Sequence, residues 1–182
     1  MDVFTALGRI GFSIGKISGN REHYLDADDI RIVLSRLPVG LWASLRAVHF
    51  NDQSRGGRIL GYVTRGHREI AICALPSQIR LARWMEFSRG CNNRRTSPRE
   101  FGADRGRPWP RVAVRRFLLY DVFLHELGHC SDPTKRYAKE RKAQEFADYW
   151  RKELWSKPFD HPAPEHHAPA EAELGAVNCR QE

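Results

Sequence analysis

The sequence predicts a single α+β domain, in which a small mixed or antiparallel sheet packs against two helices in the second half of the chain. Short apolar runs with strand-like alternation occur between residues 45 and 75. Longer runs with helical spacing follow between residues 114 and 155. The chain has 182 residues, of which 41% are hydrophobic, and this is enough for one hydrophobic core. Together these observations favour the α+β class.

The first 24 residues are expected to form a flexible N-terminal arm. Arg9, Gly11, Gly15 and Lys16 interrupt their mildly apolar character. The segment lacks the basic start and the small-residue cleavage site of a secretory signal, so we do not expect a signal peptide. The folded domain is therefore expected to begin at residue 25 and to extend to residue 156.

Several segments of the domain show the patterns of individual elements. They are a helix at 27–37, strands at 45–50, 58–63 and 69–75, and a short helix at 77–87. The first helix is expected to begin near Asp26 or Asp28 and to end before Pro38. The sequence at 64–67, Thr-Arg-Gly-His, suits a hairpin turn between the second and third strands.

Two segments differ in composition from the rest of the domain. Residues 88–111 are rich in arginine, glycine and proline and precede the helices of the second half. We expect either a flexible surface insertion or a lid or docking loop, because long loops in compact domains are often functional. The tail at 157–182 is rich in proline, alanine, glutamate and histidine and is expected to be disordered.

Charge and cysteine content limit the expected partners and compartment. The net charge of +8 permits attraction to nucleic acid, but the charge is spread along the chain and no nucleic-acid-binding motif is present. The four cysteines form no CxxC pair, which argues against a zinc knuckle or a disulfide framework and favours a reducing cytoplasm. No apolar run approaches the roughly 20 residues of a membrane span, so we expect no membrane partner.

The most informative stretch is Leu-His-Glu-Leu-Gly-His at 124–129, within a largely apolar run that has helical character. Residues four apart lie one turn above each other in a helix, so His125 and His129 can bind one metal ion together. Glu126 lies beside them, where its carboxylate can polarise a water molecule without being a ligand. This is the HExxH arrangement of zinc-dependent peptidases.

A catalytic zinc site usually has three protein ligands and one open position. A third histidine six residues after His129 is absent, because Lys135 occupies that position. The next helix, expected at 133–155, offers two carboxylates instead. Glu140 lies at the edge of its apolar stripe and Glu145 lies almost opposite, so the geometry favours Glu140. The short connection from His129 to Glu140 keeps Glu145 as the alternative third ligand.

A family resemblance becomes specific at this second helix. The segment at 140–147, Glu-Arg-Lys-Ala-Gln-Glu-Phe-Ala, resembles the ExxANxFA segment that follows HELGH in ImmA/IrrE-type metallopeptidases. It is also similar to the ExxAD segment of other gluzincins, the zincins whose third ligand is a glutamate. Over residues 116–155 the resemblance implies a zincin-like domain with a Zn²⁺ ion on His125, His129 and Glu140. Gln144 departs from the usual Asn or Asp, and its side chain is expected to orient a ligand.

These features predict a cytoplasmic zinc metallopeptidase that hydrolyses amide bonds of a peptide or protein substrate, with Glu126 as the general base. The resemblance implies that the strand before the active helix, expected at 69–75, pairs with an extended substrate. The candidate donors to the oxyanion are His67, Arg115, Tyr137 and Tyr149.

Two alternatives to this prediction remain. One is a non-catalytic zinc-binding or partner-binding zincin-like module, against which the presence of Glu126 argues. The other is a DNA-associated peptidase that docks on nucleic acid through residues 88–111.

Overall fold

A computed structural model describes residues 2–55, 59–64, 66–76, 98–103, 107–131 and 140–155. The helix predicted at 77–87 and the tail at 157–182 lie outside these residues. The described part is an α+β structure with a small mixed sheet, as the sequence predicts. In this part of the chain, no helix combines the length and the apolar character that crossing a membrane requires.

The described residues contain six strands, which form two sheets. They are β1 (Gly11–Ile14), β2 (Arg21–Glu22), β3 (Ala47–Asn51), β4 (Gly61–Val63), β5 (Glu69–Cys73) and β6 (Leu75–Pro76). The main sheet has the order β1-β3-β5-β4, with β1, β3 and β5 parallel and β4 antiparallel to β5. The antiparallel pair β4–β5 is the predicted hairpin. Strands β2 and β6 form a separate antiparallel ladder.

The N-terminal segment does not form the predicted arm. It contains helix α1 (Val3–Leu7) and strand β1, which pairs with β3 in the main sheet. Ala6 and Ile10 of this segment are buried in the core. The reason for the wrong prediction is that most side chains of β1 are exposed, so this edge strand has no apolar alternation and is held mainly by its backbone hydrogen bonds.

Helix α2 (Ala27–Arg36) confirms the helix predicted at 27–37. Asp26 is its N-cap, and its side chain accepts hydrogen bonds from the backbone amides of Asp28 and Asp29. The Asp29 side chain accepts in return from the backbone amide of Asp26, which completes a capping box. A short 3₁₀ helix (Val39–Leu41) follows Pro38.

One helical run carries the HExxH motif. It consists of α3 (Arg111–Phe117), a π-helical segment (Leu118–Phe123) and α4 (Leu124–Cys130). Every side chain from residue 113 to residue 130 is buried. Helix α5 (Glu140–Trp155) packs against α4, and its buried residues are Ala143, Gln144, Ala147, Arg151 and Leu154. The beginning of the helix predicted at 133–155 lies outside the described residues.

The strand predicted to receive substrate is not at an edge of the sheet. Strand β5 lies between β3 and β4 and forms a ladder with each, so both of its backbone edges are occupied. Its sequence, Glu-Ile-Ala-Ile-Cys, is a nearly continuous apolar run, which is typical of a strand covered on both faces. The edge strand on this side of the sheet is β4.

The described part of the basic segment at 88–111 is anchored to the core by buried residues. A 3₁₀ helix (Pro98–Phe101) buries Phe101 completely, and Trp109 is also buried. The Phe101 ring packs edge-on against Phe117 of α3, with 5.2 Å between the ring centroids. These aromatic anchors argue against a surface insertion at 98–103 and 107–111. The rest of the segment lies outside the described residues.

Candidate metal centre

The two histidines of the motif lie on one side of α4, as their spacing predicts. Both are buried, and their ring centroids are 4.9 Å apart. Glu140, the first residue of α5, faces both rings. Its Oε2 is 3.1 Å from His125 Nε2, and its Oε1 is 3.6 Å from His129 Nε2. One ligand atom from each residue lies within 4.8 Å of the other two, which is a suitable arrangement for binding one metal ion.

The structure places Glu140, and not Glu145, beside the histidines. The Glu145 side chain is 62% exposed and pairs with Arg141, with 3.7 Å between Arg141 Nε and Glu145 Oε1. Five residues along a helix correspond to about 140° of rotation, so Glu145 points away when Glu140 faces α4. Of the two carboxylates that the sequence offers as a third ligand, the structure therefore brings Glu140 to the histidines and not Glu145.

The helices α4 and α5 approach closely because Gly128 has no side chain. A Cβ atom at Gly128 would lie 3.0 Å from Ala143 Cα and 3.1 Å from the Ala143 carbonyl oxygen. Both distances are shorter than ordinary van der Waals contacts. The glycine of HELGH and the small residue Ala143 thus allow the approach that places Glu140 beside His125 and His129.

Gln144 determines which nitrogen of His125 carries the proton. Its Nε2 donates to Asp148 Oδ1 at 3.0 Å and to Asp121 Oδ1 at 3.2 Å, so its Oε1 faces His125. This oxygen is 3.1 Å from His125 Nδ1. Because an amide oxygen only accepts hydrogen bonds, His125 Nδ1 is the donor. In the neutral ring, the lone pair on Nε2 is then directed towards Glu140.

Glu126 of α4 lies against the edge strand β4. Its side chain is only 8% exposed. A Cβ atom at Gly61 of β4 would lie 3.3 Å from Glu126 Cγ and 2.8 Å from Val122 Cγ1. A glycine is therefore required where the strand passes the helix. The Glu126 side chain therefore packs against strand β4.

Cys130 follows the motif directly, but it does not belong to the metal-binding group. Burial and, to a smaller extent, the nearby charge of Glu126 raise the pKa of its thiol to about 12. The thiol is therefore protonated at neutral pH, whereas a metal-binding cysteine is a thiolate. Burial likewise raises the pKa of Cys73, to about 11. Both cysteines are small buried residues of the core.

The structure does not bring two of the candidate oxyanion donors to the site. Arg115 is buried and donates to the Asp29 carboxylate and to the Tyr24 carbonyl oxygen. Tyr149 is 56% exposed and lies nine residues after Glu140, which is half a turn out of phase. His67 lies in the turn between β4 and β5. Tyr137 lies outside the described residues.

Two residues near the site are absent from the sequence-based prediction. Asp121 is completely buried in the π-helical segment, and Arg151 is buried in α5. Asp121 is the one charged residue of the apolar run at 117–124, four residues before His125. This placement is the signal that could have identified it. Comparisons of the chain with protein-family models, with curated proteins and with solved structures found no match.

Proposed function

We propose that this protein is a zinc-dependent peptidase of the gluzincin type, with His125, His129 and Glu140 as metal ligands. The observation that carries the proposal is the contact between His125 Nε2 and Glu140 Oε2, at 3.1 Å. In a neutral ring, the hydrogen bond to Gln144 assigns the proton to Nδ1, so that Nε2 and the Glu140 carboxylate are two acceptors that face each other. A metal ion bound between them would satisfy both acceptors.

The donor set fits zinc. Two imidazoles and one glutamate form one of the three-ligand sets of catalytic zinc, which leave a fourth position for water or substrate. Zinc held by such a set would lower the pKa of its bound water to about 7 and would polarise a carbonyl group. The Glu140 side chain is 57% exposed, so the group is accessible from solvent although both histidines are buried.

Glu126 would act as the general base. It lies next to His125 on α4 and is nearly buried, so its carboxylate is held in place and shielded from bulk water. We propose that it accepts a proton from the attacking water and returns this proton to the leaving amine. A site that binds metal only for stability would not need this carboxylate.

An extended peptide would bind along β4. In the described part of the chain β4 pairs with β5 alone, so its other edge offers backbone donors and acceptors to an added strand. Gly61 of the same strand packs against Glu126, because a Cβ atom there would lie 3.3 Å from Glu126 Cγ. A peptide added at β4 would extend the sheet beside the strand that contacts the proposed general base, which favours a peptide or protein substrate.

Metal content and hydrolysis, measured together, test the proposal. We expect the wild-type protein to bind one zinc ion and to cleave members of a proteome-derived peptide library, as read by mass spectrometry. Glu126→Gln should retain zinc and lose about 10²–10⁴-fold in cleavage rate. Glu140→Ala should lose zinc affinity, whereas the control Glu145→Ala should not. Zinc binding without any cleavage would favour the non-catalytic module, and absence of zinc binding would refute the proposal.

A further inference from the structure

We infer that the buried ion pair between Asp121 and Arg151 positions a metal ligand, because it orients the Gln144 amide and thereby fixes the proton of His125 on Nδ1. The inference rests on the proposed function and extends it to residues that do not touch the metal or the substrate. Asp121 and Arg151 form a charged pair inside the core that has no role in the hydrolysis proposed above.

Asp121 lies in the π-helical segment that precedes α4. Segments of π-helix are rare and often occur at functional sites. The Asp121 side chain is completely buried, and its Oδ1 accepts from Gln144 Nε2 at 3.2 Å and from Arg151 Nη1 at 2.9 Å. One carboxylate oxygen thus joins the amide that contacts His125 to a buried guanidinium.

Arg151 makes a buried carboxylate tolerable at this position. A charge inside a core is costly unless an opposite charge accompanies it. The guanidinium is itself buried and donates through Nη2 to Asp148 Oδ1 at 2.9 Å. It also lies over the Phe101 and Trp155 rings, at 5.7 and 5.9 Å from their centroids. The arginine is therefore held by charges and by aromatic rings, and it keeps Asp121 in place as an acceptor.

This arrangement excludes the flipped amide of Gln144. After a half-turn of the amide, Oε1 would face the carboxylate oxygens of Asp121 and Asp148, and Nε2 would face His125 Nδ1. Oxygen would then oppose oxygen at two contacts, and His125 would have to carry its proton on Nε2, which a metal ligand must leave unprotonated. The pair therefore selects the tautomer that binds metal.

A comparison of two matched double variants tests this inference. Asp121→Ala with Arg151→Met removes both charges of the site pair. Asp29→Ala with Arg115→Met makes the same change in a second buried pair of the helical run, which joins α2 to α3. Because both members of each pair are removed together, neither partner is left buried without the other, so both variants are expected to fold.

Zinc affinity, measured by competition with a chromogenic chelator, should fall about 10–100-fold in the site variant and stay within about twofold of the wild type in the control. The absorption spectrum of the Co²⁺-substituted protein should change only in the site variant. Equal affinities and spectra in both variants, with a wild type that binds zinc, would overturn the inference alone. A wild type without zinc affinity would overturn the proposed function as well.

A rescue variant separates orientation from general destabilisation. Asp121→Ala with Asp148→Ala removes both carboxylates that accept from Gln144 Nε2 and so leaves the amide without orientation. Adding Gln144→Glu to this double variant supplies a carboxylate that accepts from His125 Nδ1 in either orientation and has no carboxylate of Asp121 or Asp148 opposite it. Zinc affinity of the triple variant should return to within a few-fold of the wild type, above that of the double variant by about tenfold. If the triple variant binds zinc as weakly as the double variant, the orienting role is refuted.

Discussion

The helical run at 111–130 is held by two buried arginine–aspartate pairs that differ in what lies beside them. Arg115 of α3 binds both oxygens of Asp29 at 2.9 Å and the Tyr24 carbonyl oxygen at 2.7 Å, so it joins α3 to α2 and to the segment before it. Arg151 of α5 binds one oxygen of Asp121, and this oxygen also accepts from Gln144, which contacts His125.

The comparison shows that burial and charge alone do not identify a functional group. Both aspartates and both arginines are buried to a similar degree. The first pair connects elements that carry no proposed metal ligand. The second connects α5, which carries Glu140, to the π-helical segment directly before α4, which carries the two histidines. We therefore expect the α2–α3 contact to determine stability alone, and the contact of α5 with this segment and α4 to determine stability and metal binding together.

The largest expected effect on stability is that of Asp29→Ala. It leaves the Arg115 guanidinium buried without its carboxylate and removes half of the capping box of α2, so the free energy of unfolding should fall by about 3–5 kcal/mol. Urea unfolding of the metal-free protein measures this loss. The control is Asp28→Ala, because the Asp28 side chain is 77% exposed, and its effect should stay within about 0.5 kcal/mol.

The folded fraction of Asp29→Ala should bind zinc with wild-type affinity, because the variant leaves the α4–α5 contact unchanged. Zinc competition at a temperature where the variant is folded measures this affinity. A tenfold loss there would show that the two ion pairs act as one unit and would remove the distinction between them.

The second expected effect is that of Gly128→Ala on the α4–α5 contact. The added methyl group would meet the Ala143 backbone at 3.0–3.1 Å, so the helices must separate. Overpacking of this kind costs about 1–3 kcal/mol. Separation would also move Glu140 away from the histidines, so zinc affinity should fall together with stability.

Gly40→Ala provides the control for Gly128→Ala, because among the described residues no atom beyond Gly40 and its chain neighbours lies within 4 Å of a Cβ at this position. This control should leave both stability and zinc affinity close to the wild-type values. If Gly128→Ala lowers stability but binds zinc normally, the close approach of the helices is not what holds Glu140 in place.

The sequence predicts which neighbouring residues of one helix lie together at this site, but it does not predict contacts between residues that are far apart in the chain. His125 and His129 are one helical turn apart. The direction in which Glu140 points from α5 follows from its position at the edge of the apolar stripe of that helix. Asp121 and Arg151, by contrast, are 30 residues apart, and no periodic pattern relates them. The same distinction explains the strands: the hairpin β4–β5 is local and was predictable, whereas the pairing of β1 with β3 joins residues 36 positions apart, such as Ser13 and His49.

The smallest expected effect on the free energy of unfolding is that of the N-cap of α2. It tests the α2–α3 contact with the mildest of these substitutions. Asp26→Ala removes the acceptor for the amides of Asp28 and Asp29, which should cost about 1 kcal/mol. Asp26→Asn keeps an acceptor and should cost no more than a few tenths of a kcal/mol. Thermal unfolding of the metal-free protein resolves this difference. Both variants should bind zinc as the wild type does, because the cap acts on α2 and Asp29 alone. A change in zinc affinity with Asp26→Ala would mean that a change at α2 reaches the metal ligands through Arg115. The α2–α3 contact would then belong to the site.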